Sequence, residues 1–234
     1  VGDAVSGARG AHADWTIALC ISVLAAAFAL DRLALLSGQL AAGGVAWAVA
    51  LFLIARADAT RRAMLFWCMA WATAGELFAS LVWGLYTYRL GNIPHFVPSG
   101  HVLVFLIGWQ LALRISDAAA HALTVAYAGL TLAALLLFGD EFSVLLFAVY
   151  ALLYWRAPGL RGLFAVMFGL ALGIELFGTA LGVWSWDTRT PWLGLATLNP
   201  PVAVGAFYCT LDALVAWSVG GRARVRRATV AAPA

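Results

Sequence analysis

The sequence predicts an all-α integral membrane protein of about eight transmembrane helices, and three observations predict it. Of the 234 residues, 64% are hydrophobic and only 11% are charged, where soluble domains are nearer half and a quarter. Apolar runs recur along most of the chain, several near the 20 or so residues that span a bilayer. All 14 basic residues are Arg, and they collect on alternate segments between the runs. A mean hydropathy of +0.93 agrees. These features exclude a water-soluble globular fold, a disordered chain and a disulfide scaffold. The net charge of +3 reflects topology, so no nucleic-acid partner is expected. The expected location is a bacterial inner (plasma) membrane.

The elements follow in order. Residues 1–14 are polar and Gly/Ala-rich and read as a cytoplasmic tail. They do not read as a cleavable signal, because the apolar run from Trp15 has full membrane length. The apolar segments are then about 15–36, 40–55, 63–85, 101–113, 118–138, 142–155, 160–184 and 202–219. Gly139-Asp140-Glu141 forms a tight turn between the fifth and sixth. Residues 221–234 form a basic tail. With eight spans, eleven Arg fall on one side: Arg9, Arg56, Arg61, Arg62, Arg114, Arg156, Arg161, Arg222, Arg224, Arg226 and Arg227. The other side holds only Arg89 and Arg189, while Arg32 lies inside the first span. Basic loops stay in the cytoplasm, so both termini are expected there, with the loops after the third and seventh spans outside. Cys20, Cys68 and Cys209 lie within apolar runs without metal or redox spacing, and read as packing residues.

The chain reads as built twice, with one four-helix repeat over 15–116 and a second over 117–220. The third span carries Glu76-Leu77-Phe78 and ends in Trp83-Gly84-Leu85-Tyr86-Thr87-Tyr88. The seventh carries Glu175-Leu176-Phe177 and ends in Gly182-Val183-Trp184-Ser185-Trp186. Each leads into a Gly- and Pro-rich outer loop. Pro98 lies 22 residues beyond Glu76 and Pro200 lies 25 beyond Glu175. Each then opens a closing helix with a mid-span polar group, Gln110 or Asp212. Four spans per unit is an even number, so the predicted duplication is parallel, with a two-fold axis along the membrane normal.

A carboxylate in hydrocarbon is neutral, paired or facing a wet cavity. Glu76 lies 14 residues beyond Arg62, and Glu175 lies 14 beyond Arg161. At the helical rise, both sit roughly 20 Å from the cytoplasmic boundary, facing each other across the repeat axis. Glu76, Glu175, Asp212 and His101 are therefore the candidate catalytic residues, the two Glu for acid–base work and the other two to tune it. Asp31 and Arg32 are expected to find partners elsewhere in the bundle, Arg32 pairing with Glu76, Glu175 or Asp212. His95 and His101 flank the first outer loop without a helical metal spacing. No metal site and no cofactor are expected, and His12 and His121 read as structural or solvated. Tyr86, Tyr88, Trp184 and Trp186, with Asn199 before Pro200, are the candidate substrate-binding residues. Residues two apart cannot all face lipid from one helix, so some should line the space between the repeats.

Val97-Pro98-Ser99-Gly100-His101 is similar to the middle motif of the type-2 phosphatidic acid phosphatases. The other two motifs of that family are absent, so a phosphatase site is rejected. The segment from Glu175 to Asp187 resembles membrane carotenoid-biosynthesis proteins, of the carotenoid hydratase and small lycopene cyclase type. Those show a helix with Glu, then Gly, then Gly and aromatics at the helix end, then a loop leading to Pro. Glu175, Gly178, Gly182, Trp184, Trp186 and Pro200 follow that outline, and Glu76, Gly84, Tyr86, Tyr88 and Pro98 echo it. The acidic loop motif of the cyclases is missing, since Pro200 is followed by Pro201 and Val202. The resemblance implies acid-catalysed chemistry on a polyene double bond, with Glu175 or Glu76 as proton donor. The leading expectation is thus an intramembrane enzyme whose partner is a membrane lipid or apolar isoprenoid ligand. The alternatives are a transporter or lipid-binding protein with its site at the repeat interface, and a non-catalytic subunit docking a membrane protein through its outer loops.

Overall fold

The computed structural model describes the backbone of residues 2–220 and the side chains of 13–220 except Leu35. The basic tail 221–234, with Arg222, Arg224, Arg226 and Arg227, lies outside the described residues, as do the side chains of Arg9 and His12.

Helix α1 (Gly2–Arg56) contains two apolar arms, Ala13–Ala34 and Leu36–Arg56. Residues eight apart in a straight helix are about 12 Å apart. Here a Cβ on Gly38 would collide with the Leu30 carbonyl oxygen, so the run folds sharply between the arms, and only glycine fits. Helix α2 (Ala59–Glu76) is capped by Asp58, which accepts from the Thr60 and Arg61 amides. It runs directly into a π-helical turn at Leu77–Val82. After strand β1 (Tyr86–Tyr88) comes α3 (Val97–Ala112).

Helix α4 (Asp117–Phe138) starts on a Ser116 cap and stops at Gly139, whose φ of 71° is the left-handed conformation that ends helices. Asp140 then caps α5 (Glu141–Arg156), so the expected tight turn is present. A single 3-10 turn (Pro158–Leu160) leads into α6 (Arg161–Ala180). Strand β2 (Trp184–Trp186) and α7 (Gly205–Ser218) complete the described chain.

Five helical segments are long and apolar enough to cross a membrane: the two arms of α1, Ala59–Val82, Asp117–Phe138 and Pro158–Ala180. Val97–Ala112 is a shorter apolar helix. The helical segments coincide with the eight apolar runs of the sequence, except at the ends of the third and seventh, where helix gives way to strand. The described residues are thus helical apart from loops, a two-stranded sheet and one isolated bridge between Arg189 and Ala196.

Packing is organised around α3 and α7. Helix α3 lies against α1, α2 and α6, and α7 lies against α6, α2 and α5, while α4 packs on α5 and α6. Many exposed side chains are large and apolar, among them Leu33, Leu136, Leu137, Phe138 and Trp217, as a surface solvated by lipid requires. Arg114, just past α3, pairs with Asp14 at the start of the first arm at 2.7 Å. Four helical segments therefore return the chain to the side on which it began.

Each of the two loops that follow the strands is strapped to a preceding helical turn. Arg89 bonds both the carboxylate and the carbonyl oxygen of Asp31, and Asn92 donates to Gln39. In the second loop, Val202 donates to buried Asp140, Ala203 to Ser143, and Ala196 to Glu141. Asp31 thus finds a partner beyond its neighbour, as expected. That partner is Arg89, whereas Arg32 is exposed and does not serve as the internal counter-charge.

Candidate functional site: a pair of cradled carboxyls

The site begins with two helix ends that fail in the same way. Gly84 and Gly182 adopt φ of 73° and 67°, a left-handed turn that stops a helix at no steric cost. Two residues later, each chain is extended. Strands β1 and β2 pair antiparallel, with Tyr86 opposite Trp186, Thr87 opposite Ser185 and Tyr88 opposite Trp184. Side chains alternate faces along a strand. Thr87 and Ser185 therefore point out, while Tyr86, Tyr88, Trp184 and Trp186 are buried. The aromatic pairs thus stand on strands and not on the helix ends expected from the sequence.

Glu76 and Glu175 sit above these rings. Tyr86 and Tyr88 donate to Glu76 Oε2 at 2.7 and 2.6 Å. The Trp184 and Trp186 indoles donate to Glu175 Oε2 at 2.8 and 3.1 Å. Gly178 makes the second cradle possible, because a Cβ there would occupy the Trp184 ring. Burial beside the Glu76 carboxyl pushes both phenols well above the usual tyrosine range, so they remain hydrogen-bond donors at neutral pH.

The other oxygen of each carboxyl faces a closing helix. His101 Nε2 lies 3.5 Å from Glu76 Oε1, and Tyr208 Oη lies 3.4 Å from Glu175 Oε1. His101 Nδ1 sits 2.9 Å from the Val97 carbonyl oxygen. A carbonyl only accepts, so Nδ1 carries a hydrogen and Nε2 is the nitrogen that faces Glu76. The His101 and Tyr208 rings stack at 5.3 Å and 17°, which joins the two cradles.

Two clefts open from this junction, with cavity volumes of about 40 and 160 Å³. Both are lined by Glu76, Tyr86, His101, Glu175 and Tyr208, and otherwise mainly by aliphatic and aromatic side chains. No family model, no curated protein and no solved structure matches this chain.

Seven of the nine residues singled out from the sequence therefore converge: Glu76, Glu175, His101, Tyr86, Tyr88, Trp184 and Trp186. Asn199 is exposed and lies behind the sheet. Its side chain accepts from the Trp186 amide at 2.9 Å and approaches Ser185 Oγ at 3.4 Å, so it fixes the strand and lines neither cleft. Asp212 is buried one helical turn beyond Tyr208, with both oxygens lacking a hydrogen-bond partner, and it too lines neither cleft. Sequence reasoning missed Tyr208. The signal was its place four residues before Asp212, hence on the same face of α7. Gln110 lies nine residues beyond His101 and Asp212 only four beyond Tyr208, so these two polar groups sit at unlike depths. Among the described residues, no group of three or more His, Cys, Asp or Glu could hold a metal ion.

Proposed function

We propose that this protein is an eight-span membrane enzyme of two four-helix repeats, performing acid–base chemistry on an apolar, isoprenoid- or carotenoid-like polyene. The observation that carries this reading is the paired carboxyl arrangement, in which each Glu has Oε2 held by two donors and Oε1 turned to His101 or Tyr208, with both Glu residues lining the clefts. Indole N–H groups only donate. Glu175 Oε2 is thus fixed as an acceptor, and a proton on that residue resides on Oε1. Delivered to a double bond, this proton generates a carbocation beside the Tyr and Trp ring faces, which attract cations. Glu76, coupled to His101, takes a proton from the adjacent carbon or from an attacking water. General acid–base groups of this kind contribute about 10²–10⁴-fold to a rate.

The repeat reading is supported by the matched cradles and by the reciprocal packing of α3 on α6 and α2 on α7. The Asp14–Arg114 pair and the eleven-to-two Arg distribution support an even number of spans and cytoplasmic termini. The test is incubation of the detergent-purified protein with lycopene in deuterated water, followed by mass spectrometry. Deuterium in the product, lost in Glu175→Gln and Glu76→Gln, is expected. No deuterium uptake by lycopene or by isoprenoids extracted from the native membrane, together with a stoichiometric co-purifying protein, would overturn the enzyme reading in favour of a docking subunit.

A further inference from the structure

Asp212 is the buried carboxyl that the proposed chemistry leaves unused. It stands in the middle of α7, 1% exposed, and neither of its oxygens has a hydrogen-bond partner among the described residues. A carboxyl held there only for packing would be bonded, because burying one without a partner costs stability. An ionisable side chain at membrane depth points instead to a function. The charge of Asp212 acts on the thiols of Cys68 on α2 and Cys209 on α7. The Cys68 thiol in turn donates to the His101 carbonyl oxygen at 3.6 Å. Side chains on a helix lean toward its N-terminus, so the Asp212 carboxyl leans toward the turn that carries Tyr208, whose hydroxyl lies 3.4 Å from Glu175 Oε1. The larger cleft runs past this same turn. It starts at Glu76 and Glu175 and passes Tyr208, Leu211 and Leu214 to Trp71, whose indole donates to Ser218 at the end of α7. Its volume of about 160 Å³ takes several waters, since one needs about 10–15 Å³.

We propose that Asp212 is a proton relay, which passes a proton through water in the larger cleft to Glu175 Oε1 and regains one from the side of the membrane at which α7 ends. This rests on the acid–base reading above and names the route by which that site is reloaded. Glu175 gives up a proton in each turnover and must regain one before the next. The relay balances: Asp212 loses one proton as Glu175 gains one, and a proton from bulk water restores Asp212. Asp212 touches no reacting atom and acts through Glu175. Its unbonded oxygens suit this role, because they are free to exchange a proton with water.

Infrared spectroscopy of the full-length protein tests this without substrate. A protonated carboxyl has a C=O stretch that shifts on deuteration, and the Glu175 band is the one missing in Glu175→Gln. After transfer to deuterated water, that band should shift at least about tenfold more slowly in Asp212→Asn than in the wild type, a barrier higher by about 1.4 kcal/mol. Asp212→Glu keeps a carboxyl and should restore the rate. Leu214→Phe narrows the cleft without touching a carboxyl and should also slow the shift. An Asp212 that served packing alone would loosen the bundle when replaced and speed the shift. A rate unchanged or faster in Asp212→Asn, no rescue in Asp212→Glu, or an unchanged rate in Leu214→Phe overturns the proposal. Should Asp212→Asn fail to fold, Leu214→Phe decides alone. Slowed exchange without deuterium in lycopene would leave the relay standing and remove the acid–base reading. Deuterium in the product with exchange unslowed would do the reverse, and a Glu175 that shows no protonated band would overturn both.

Discussion

The two carboxyl cradles share a plan and differ in their donors. Around Glu76 every side-chain partner can both give and accept a proton: two phenols and an imidazole. Around Glu175 the two close partners are indoles, which can only give. Glu76 can therefore change protonation while keeping all its contacts, since a hydroxyl or a ring nitrogen can reverse its role. Glu175 can do so only at Oε1. On the proposed acid–base reading, the first cradle suits proton exchange, and the second holds one carboxyl oxygen in place while leaving the other to react.

The most direct way to break this comparison is to neutralise each carboxyl in turn. Glu175→Gln and Glu76→Gln should each lower deuterium incorporation by about 10²–10⁴-fold. The amide oxygen still accepts from the indoles or phenols, so thermal unfolding should stay near wild type. A fold that collapses in both variants would make the pair structural. Gly178→Ala tests the second cradle through its packing. The new methyl displaces the Trp184 ring, and the overpacking should cost about 1–3 kcal/mol, read as a lower unfolding midpoint. An unchanged midpoint would mean that Trp184 does not need its close seat on α6.

Tyr88→Phe removes one of two bonds to a carboxyl oxygen and should cost about 1.5–3 kcal/mol when that carboxyl is ionised. Trp186→Phe removes the corresponding bond at Glu175. Different losses of activity at similar losses of stability would sharpen the division between the cradles, and equal losses would erase it. The smallest effect is expected from Asn199→Ala, which deprives the Trp186 amide of its acceptor. One neutral hydrogen bond at an exposed site is worth about 0.5–1.5 kcal/mol, so a small shift in unfolding midpoint with near-normal activity should follow. A large loss of activity in that variant would instead return Asn199 to the substrate.

The contrast also shows what the linear chain reveals and what it conceals. Helix positions follow from hydropathy alone, because lipid leaves the backbone no alternative to internal hydrogen bonding. Glu76 and Glu175 stand out for the same reason, as charges in an apolar run. Tyr86-x-Tyr88 and Trp184-x-Trp186 were legible as rings bound for the interior, but not as strands. Three residues at the end of an apolar run carry too little periodicity to separate a strand from a helix end, and pairing across nearly a hundred residues leaves no local trace. Tyr208 was concealed because a lone Tyr in an apolar helix is ordinary, and only the neighbouring His101 ring and Glu175 give it a role. That Asp31 would pair away from Arg32 was legible, because adjacent side chains diverge on a helix, but its partner Arg89 was concealed, since a contact 58 residues along the chain leaves no local trace.

The small sheet has one more consequence. Each half of the chain supplies a single strand of three residues, and a lone strand of that length has no partner for its backbone groups. A half made alone would leave an open strand edge beside a buried carboxyl. Cut between α3 and α4, the two fragments should be poor proteins separately and should reconstitute when made together. The sheet then acts as the clasp by which one half recognises the other.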